Sequence, residues 1–230
     1  MENNSGKDVA IAGLKLTKAA LSIIGQFFPI AGLFEIIPNV ILNKIDDTEI
    51  KKLEKQFGDI SDKCQHLCDQ MKDLNTQVQV QTLEAQYYTV LYNIENSFEA
   101  FKDCMMAIAN TREEKVLEEA EKKFIAKVVR YKLRKNLTTL FEGVVGEKKI
   151  FSDPILEVYS KLNNPALMTA VCERLEHHLR NGISVLLYET AIRHDEEVLK
   201  TRGEEWEAKL KEALDKMNKA VEECGEHHHH

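Results

Sequence analysis

The stretch "IKKLEKQFGDISDKCQHLCDQMKDLNTQV", residues 50–78, decides the fold because its apolar positions recur at alternating steps of three and four. The series comprises Ile50, Leu53, Phe57, Ile60, Cys64, Leu67, Met71, Leu74 and Val78. Such spacing puts the apolar side chains on one side of a helix, as in coiled coils and helical bundles. The pattern extends to Gln81, Ala85, Tyr88 and Tyr92 and predicts one long helix over 45–109. A helix rises about 1.5 Å per residue, so a helix over 45–109 would be longer than the diameter of a compact domain. We therefore expect an elongated bundle.

The composition supports an all-α fold. The 230 residues are 43% hydrophobic and 30% charged, with only 10 Gly and 4 Pro, and no segment alternates as a strand does. The formal net charge of −7 argues against non-specific binding of nucleic acid, which needs a cationic surface. The 5 cysteines are scattered through predicted helices, which indicates reduced thiols. With no secretory signal evident in the polar start of the sequence, we expect a cytoplasmic protein.

Residues 19–42, "AALSIIGQFFPIAGLFEIIPNVIL", carry one charge, on Glu35. Pro29 and Pro38 would interrupt a single membrane-spanning helix, and the uncharged run before Glu35 is too short to cross a bilayer. We therefore predict an apolar helical hairpin within 8–44. It is either permanent core, or a segment that leaves a soluble form and inserts into lipid. The hairpin residues that would contact a membrane or a partner are Ile23, Ile24, Phe27, Phe28, Ile30, Leu33, Phe34, Ile36 and Ile37.

A basic amphipathic helix is predicted over 111–142. Its segment "KKFIAKVVRYKLRK", residues 122–135, contains 7 basic and no acidic residues. One stripe along this helix consists of Lys123, Lys127, Arg130 and Arg134. Such a stripe can bind an acidic protein or an anionic membrane, although charged helical faces are usually just solvated.

The remaining sequence predicts more helices within a single domain, 1–226. The motifs "SDP", residues 152–154, and "NNP", residues 163–165, each place a capping side chain, Asp153 and Asn164, before a proline, and they indicate a short helix and then a core helix over 152–194. A charged helix follows over 195–224, and the histidines at 227–230 resemble a purification tag.

No group of residues predicts an enzyme. Cys64 and Cys68 lie one turn apart, but His66 lies on another side of the same helix, so we expect no metal there. Cys172, His177 and His178 also lack a second ligand pair. The usual phosphate-binding, nucleophile and zinc-protease motifs are missing. We therefore expect no catalytic residues and no cofactor. The expected partners are proteins bound through helical surfaces, an anionic membrane being the alternative, and self-association is compatible with the same surfaces.

Several segments together resemble the rapunzel family of fish proteins. They are "GLKLTKAALSIIGQFFPIAGL", "IKKLEKQFGDISDKC", "QYYTVLYNIENSFEAF", "NNPALMTAVCERLEHHLRNGISVLLYETA" and "WEAKLKEALDKM". The resemblance implies an intracellular helical protein with a regulatory role in development or signalling and no established enzymatic activity. The layout is also similar to the soluble forms of α-helical pore-forming toxins, which is a likeness of architecture only.

Overall fold

The computed structural model describes residues 9–11, 14–16, 18–29, 31–41, 45–74, 78–146 and 154–228. Its elements are β1 (Val9–Ile11), β2 (Leu14–Leu16), α1 (Lys18–Gly25), α2 (Ala31–Ile41), α3 (Asp47–Leu74), α4 (Val78–Asn110), α5 (Glu114–Arg130), α6 (Leu133–Val145), α7 (Ile155–Ser160), α8 (Pro165–Arg193) and α9 (Glu196–His228). The all-α class is confirmed. The two short strands, which pair antiparallel with Val9 opposite Leu16, were not predicted.

The predicted single helix over 45–109 is wrong, because the chain folds back between α3 and α4. The Phe57 and Phe98 ring centroids are 6.0 Å apart, and Cys64 Sγ lies 3.4 Å from Glu95 Oε1. Contacts that run in opposite sequence directions make α3 and α4 an antiparallel pair. Residues 75–77, "NTQ", lie outside the described residues, and Asn and Thr are types that favour helix starts over helix interiors.

The fold-back also changes which residues of α4 face the core. In α3 the predicted positions hold, since Leu53, Phe57, Ile60, Leu67 and Met71 are buried. In α4, by contrast, the predicted continuation Gln81, Ala85, Tyr88 and Tyr92 is exposed. The buried face begins instead with Leu83, Tyr87, Val90, Ile94 and Phe98. A helical phase cannot be carried across a turn, because the turn sets a new rotation for the next helix.

The predicted helix over 111–142 is likewise two helices. Helix α5 ends at Arg130 and α6 begins at Leu133. Between them Lys132 has a φ of 49°, in the left-handed region. The Asn136 side chain donates hydrogen bonds of 3.0 Å to the carbonyl oxygens of Tyr131 and Lys132, which stabilises this break. The break turns α6 towards α4, α8 and α9.

Helix α8 forms the centre of the bundle and packs against α3, α4, α6 and α9. Its Tyr188 ring stacks edge-on between Phe101 and Phe124, with centroid distances of 5.2 and 5.3 Å. The α1–α2 hairpin packs on this assembly, α1 against α8 and α9 and α2 against α3 and α4. The core is therefore continuous from the hairpin to α9.

Candidate functional site

The predicted basic stripe does not form one continuous surface. Lys123, Lys127 and Arg130 lie on α5, but Arg134 lies beyond the break on α6. Lys127 Nζ is 3.9 Å from Asp103 Oδ2 of α4, and the Arg130 guanidinium lies 5.8 Å from the Tyr131 ring centroid. The prediction of a single stripe is therefore corrected, because the left-handed turn at Lys132 separates its last member from the other three.

The break instead brings a different set of cations together. A cleft of about 610 Å³ opens between the α5–α6 corner and the α8–α9 corner. Its charged lining consists of the cations Lys132, Arg134, Lys135, Arg193 and Arg202 and a single carboxylate, Glu189. Such an excess of cations in a chain of net charge −7 makes the cleft a local site for anions. We call this site the cationic cleft.

Some of these cations are already paired. Arg193 Nη1 lies 2.7 Å from Glu189 Oε1, and Arg202 Nη1 donates a hydrogen bond of 2.9 Å to Thr190 Oγ1. The other three, Lys132, Arg134 and Lys135, are exposed and form no ion pair with any residue that the structure describes. These three side chains therefore remain available to a ligand, and the charge of Arg202 is not compensated by its hydroxyl partner.

The cationic cleft also has an apolar part. Val128, Leu133 and Leu186 are buried and contribute to its lining. Val129, at the same cleft, keeps 58% of its surface exposed. Binding sites commonly combine an apolar centre with a charged rim, since the apolar contacts add affinity and the charges orient the ligand. The arrangement suits a ligand with both acidic and apolar groups.

The predicted hairpin residues are mostly enclosed. Ile24, Phe27, Phe28, Leu33 and Ile37 are buried, whereas Ile23 and Ile36 are partly buried and pack on the core. Ile30 and the side chain of Phe34 lie outside the described residues.

The hairpin lies close to the helices that enclose it. A Cβ atom at Gly203 of α9 would lie only 2.8 Å from Ile23 Cγ2 of α1, so glycine permits the close approach of these two helices. Within the described parts of the chain, no helix is both long enough and apolar enough to span a membrane.

A second group of polar residues was missed by the sequence analysis. His66 is exposed, in agreement with its expected orientation, but Glu95 of α4 and His178 of α8 lie next to Cys64. The sequence carries no local signal for this group, because its members come from three helices that only the tertiary fold brings together. We refer to Cys64, Glu95 and His178 as the thiol–imidazole cluster.

The comparison with protein families identifies the fold type. Residues 43–230 match the family model described as the cephalotoxin-like middle helical domain. The chain belongs to this family. The match begins directly after the hairpin, since α2 ends at Ile41, and it includes α3 to α9.

A curated relative extends the comparison to most of the chain. The protein rapunzel of Danio rerio is 28% identical over 208 residues, which cover 90% of this chain and 87% of the relative. The resemblance to the rapunzel family is thereby confirmed. No solved structure matches the chain.

Proposed function

We propose that this protein is a non-enzymatic, intracellular interaction protein of signalling or development that binds an acidic segment of a partner protein in the cationic cleft. The observation that carries the proposal is the set of three unpaired cations, Lys132, Arg134 and Lys135, beside an apolar surface. The relationship to the protein rapunzel supports a helical protein of this kind.

The electrostatics favour binding of an acidic partner at the cleft over binding elsewhere on the surface. The chain as a whole carries a net charge of −7, so an acidic segment is repelled from most of the surface and attracted at the cleft. Lysine and arginine bind carboxylates through charge-assisted hydrogen bonds, and arginine does so with two parallel donors. Exposed charges are screened by salt, so binding should weaken as the ionic strength rises.

The test uses a fluorescent short peptide that alternates glutamate with leucine. Its affinity for the full chain is measured by anisotropy at low and at physiological salt. The triple variant Lys132→Glu, Arg134→Glu and Lys135→Glu should bind at least about tenfold more weakly, since each lost charge pair contributes up to about 1 kcal/mol. The matched control is Lys51→Glu, Lys52→Glu and Lys55→Glu, which makes the same charge change on the exposed residues of α3.

Equal losses in both triple variants would contradict the proposal, because they would mean that only the net charge matters. A peptide of alternating glutamate and serine separates the two parts of the cleft. It should bind more weakly than the leucine peptide if the apolar lining takes part. The full chain can then be used to capture partner proteins. The triple variant of the cleft should fail to capture them, and the triple variant of α3 should capture them as the wild type does.

A second candidate function is membrane insertion of the α1–α2 hairpin. It is supported by the single charge of residues 19–42 and by the description of the family matched by the rest of the chain, residues 43–230, as cephalotoxin-like. Insertion would require α1 to separate from α8 and α9, and α2 to separate from α3 and α4. The relevant assays are flotation with anionic vesicles and release of an enclosed dye.

A reversible crosslink tests this alternative directly. The close approach of Ile23 and Gly203 suits a disulfide between Ile23→Cys and Gly203→Cys, which would hold α1 on α9. Dye release that disappears after oxidation and returns with reductant would support insertion, with each single cysteine variant as a control. If wild-type protein releases no dye, and Ile24→Asp only unfolds the protein, the hairpin is ordinary core.

A further inference from the structure

Three side chains from three helices converge in the thiol–imidazole cluster. Cys64 Sγ of α3 lies 3.4 Å from Glu95 Oε1 of α4 and 3.9 Å from His178 Nε2 of α8. The last two atoms are 3.7 Å apart. The thiolate, carboxylate and imidazole groups are all ligands that Zn²⁺ accepts. The cluster therefore offers three ligand atoms within one small volume.

These separations are close to those of a tetrahedral zinc site. Bonds of about 2.3 Å to sulfur and about 2.0 Å to nitrogen or oxygen place neighbouring ligand atoms about 3.3–3.6 Å apart. The Cys64–Glu95 distance of 3.4 Å is within this range. The distances of His178 Nε2 from Cys64 Sγ, 3.9 Å, and from Glu95 Oε1, 3.7 Å, exceed it by small amounts that side-chain rotation can remove, since Glu95 is half-exposed. The helix backbones need not move.

His178 contributes to the cluster through its Nε2 atom, which lies near both Cys64 Sγ and Glu95 Oε1. The side chain is only 1% exposed, so the surrounding helices hold the ring in place.

Cys68 lies beside the cluster and is the fourth ligand of the site inferred below. It lies one helical turn beyond Cys64 on α3, and both residues line the same groove between α3 and α4. Its Sγ atom is not among the ligand atoms that lie within 4.8 Å of one another, so its side chain must rotate to reach the ion. Both thiols lose their protons when the metal binds.

The surroundings suit the charge of the occupied site. Two thiolates, one carboxylate and Zn²⁺ leave a single negative charge, and the Arg174 guanidinium, whose Nη1 lies 3.7 Å from Glu84 Oε1, is on the same groove. The groove has a volume of about 620 Å³ and is open to solvent, so it gives an ion a path to the cluster.

We propose that Cys64, Cys68, Glu95 and His178 form a structural Zn²⁺ site that clamps α3, α4 and α8 together. Two sulfurs, one nitrogen and one oxygen match the ligand types and the tetrahedral geometry that zinc prefers. With all four positions taken by the protein, the site stabilises the bundle and leaves no open position for substrate. This inference is independent of peptide binding in the cationic cleft.

The experiment uses the chain ended at Glu226, which removes the terminal histidines that would bind metal themselves. Zn²⁺ titration by calorimetry should give one ion per chain. Co²⁺ should give the intense d–d bands of a tetrahedral site and a thiolate-to-cobalt charge-transfer band. Zn²⁺ should raise the unfolding temperature, and a chelator should reverse the rise.

The variants identify the ligands. Cys64→Ser, Cys68→Ser and Glu95→Gln should each weaken Zn²⁺ binding by about a hundredfold or more, since replacing even a supporting residue costs about 10- to 100-fold. Cys224→Ser, Glu99→Gln and His66→Gln are matched controls that should bind as the wild type does. Glu99 is a good control because it lines the same groove one turn after Glu95.

His178→Gln should also lose binding and the cobalt bands. Because His178 is buried, circular dichroism must show that this variant is folded, and the more exposed Cys68 and Glu95 variants give an answer that does not depend on it. No Zn²⁺ binding by the shortened chain would overturn the proposal. So would binding that survives Cys64→Ser or Cys68→Ser, or cobalt spectra without a thiolate band.

Discussion

Helices α8 and α5 both contain polar and apolar residues in close mixture, but α8 lies at the centre of the bundle and α5 at its surface. Helix α8 buries 19 of its 29 residues, whereas α5 buries only 3 of its 17. Helix α8 has neighbours on several sides, while α5 packs mainly against α4. The number of neighbouring helices, more than residue type, decides what each helix buries.

The difference is clearest in the residues that contradict their type. In α8 the polar residues His177, His178, Asn181, Ser184 and Thr190 are buried. In α5 the apolar Val116 and Val129 are exposed. One residue of each kind belongs to a proposed site, since His178 is part of the thiol–imidazole cluster and Val129 lines the cationic cleft. Departures from the usual pattern of burial are expected at functional sites.

The strongest test of the central position of α8 is to remove one of its large side chains. Tyr188→Ala should lower the free energy of unfolding by about 3–5 kcal/mol, because it deletes a ring packed between Phe101 and Phe124. Urea unfolding followed by circular dichroism measures the change. The control Tyr88→Ala removes a ring that is 66% exposed and should change stability by less than about 0.5 kcal/mol. Similar losses in the two variants would refute the placement of α8 at the centre.

The amino-terminal end of α8 provides a smaller test. The Asn164 side chain accepts a hydrogen bond of 3.1 Å from the Leu167 backbone N–H and so caps the helix. Asn164→Ala should lower the free energy of unfolding by about 1 kcal/mol, since that N–H loses its partner. The loss is read from the urea midpoint. The exposed Asn218→Ala on α9 is the control, and an equal decrease there would exclude capping as the cause.

A change at the amino-terminal cap of α5 should raise the free energy of unfolding, not lower it. Glu113 precedes α5 but forms no side-chain capping hydrogen bond. Glu113→Asp keeps the charge and gives a shorter side chain that suits the capping geometry, so we expect a gain of about 0.5–1 kcal/mol. Thermal unfolding can measure this gain. Combined with Asn164→Ala, the two effects should add, because the two helix ends have no shared partners.

The smallest expected effect concerns the outer face of α5. Val129→Gln should change the free energy of unfolding by less than about 0.5 kcal/mol, since the side chain is already largely in water. The adjacent Val128 is buried, and Val128→Gln should cost about 2 kcal/mol or more because it buries an amide. Chemical unfolding of both variants gives the difference. Equal costs would show that α5 is packed on both sides.

The sequence predicted the fold class and much of the core because helical periodicity reports burial within one continuous helix. It identified the buried series of α3 and the capping residue Asn164 of α8. It failed between Leu74, where α3 ends, and Val78, where α4 begins, and again at Lys132 between α5 and α6. Neither place has a glycine or proline in the sequence. A lysine in a left-handed turn gives no sequence signal, so the basic stripe was predicted across a break.

The candidate sites depend on contacts between distant parts of the chain. Arg134 of the cationic cleft was predicted, but its neighbours Arg193 and Arg202 come from α8 and from α9. The thiol–imidazole cluster joins residues 114 positions apart. Periodicity cannot predict such contacts, because it fixes the rotation of each helix about its axis but not the helix that faces it.

The left-handed backbone of Lys132 has a thermodynamic consequence. An L-residue other than glycine pays about 1–2 kcal/mol in this conformation, and glycine would avoid the penalty. The protein instead keeps a long cationic side chain at the mouth of the cleft, where glycine would contribute no charge. Under the proposed binding of an acidic segment, this conformational cost retains a charge that contributes to recognition and not to folding.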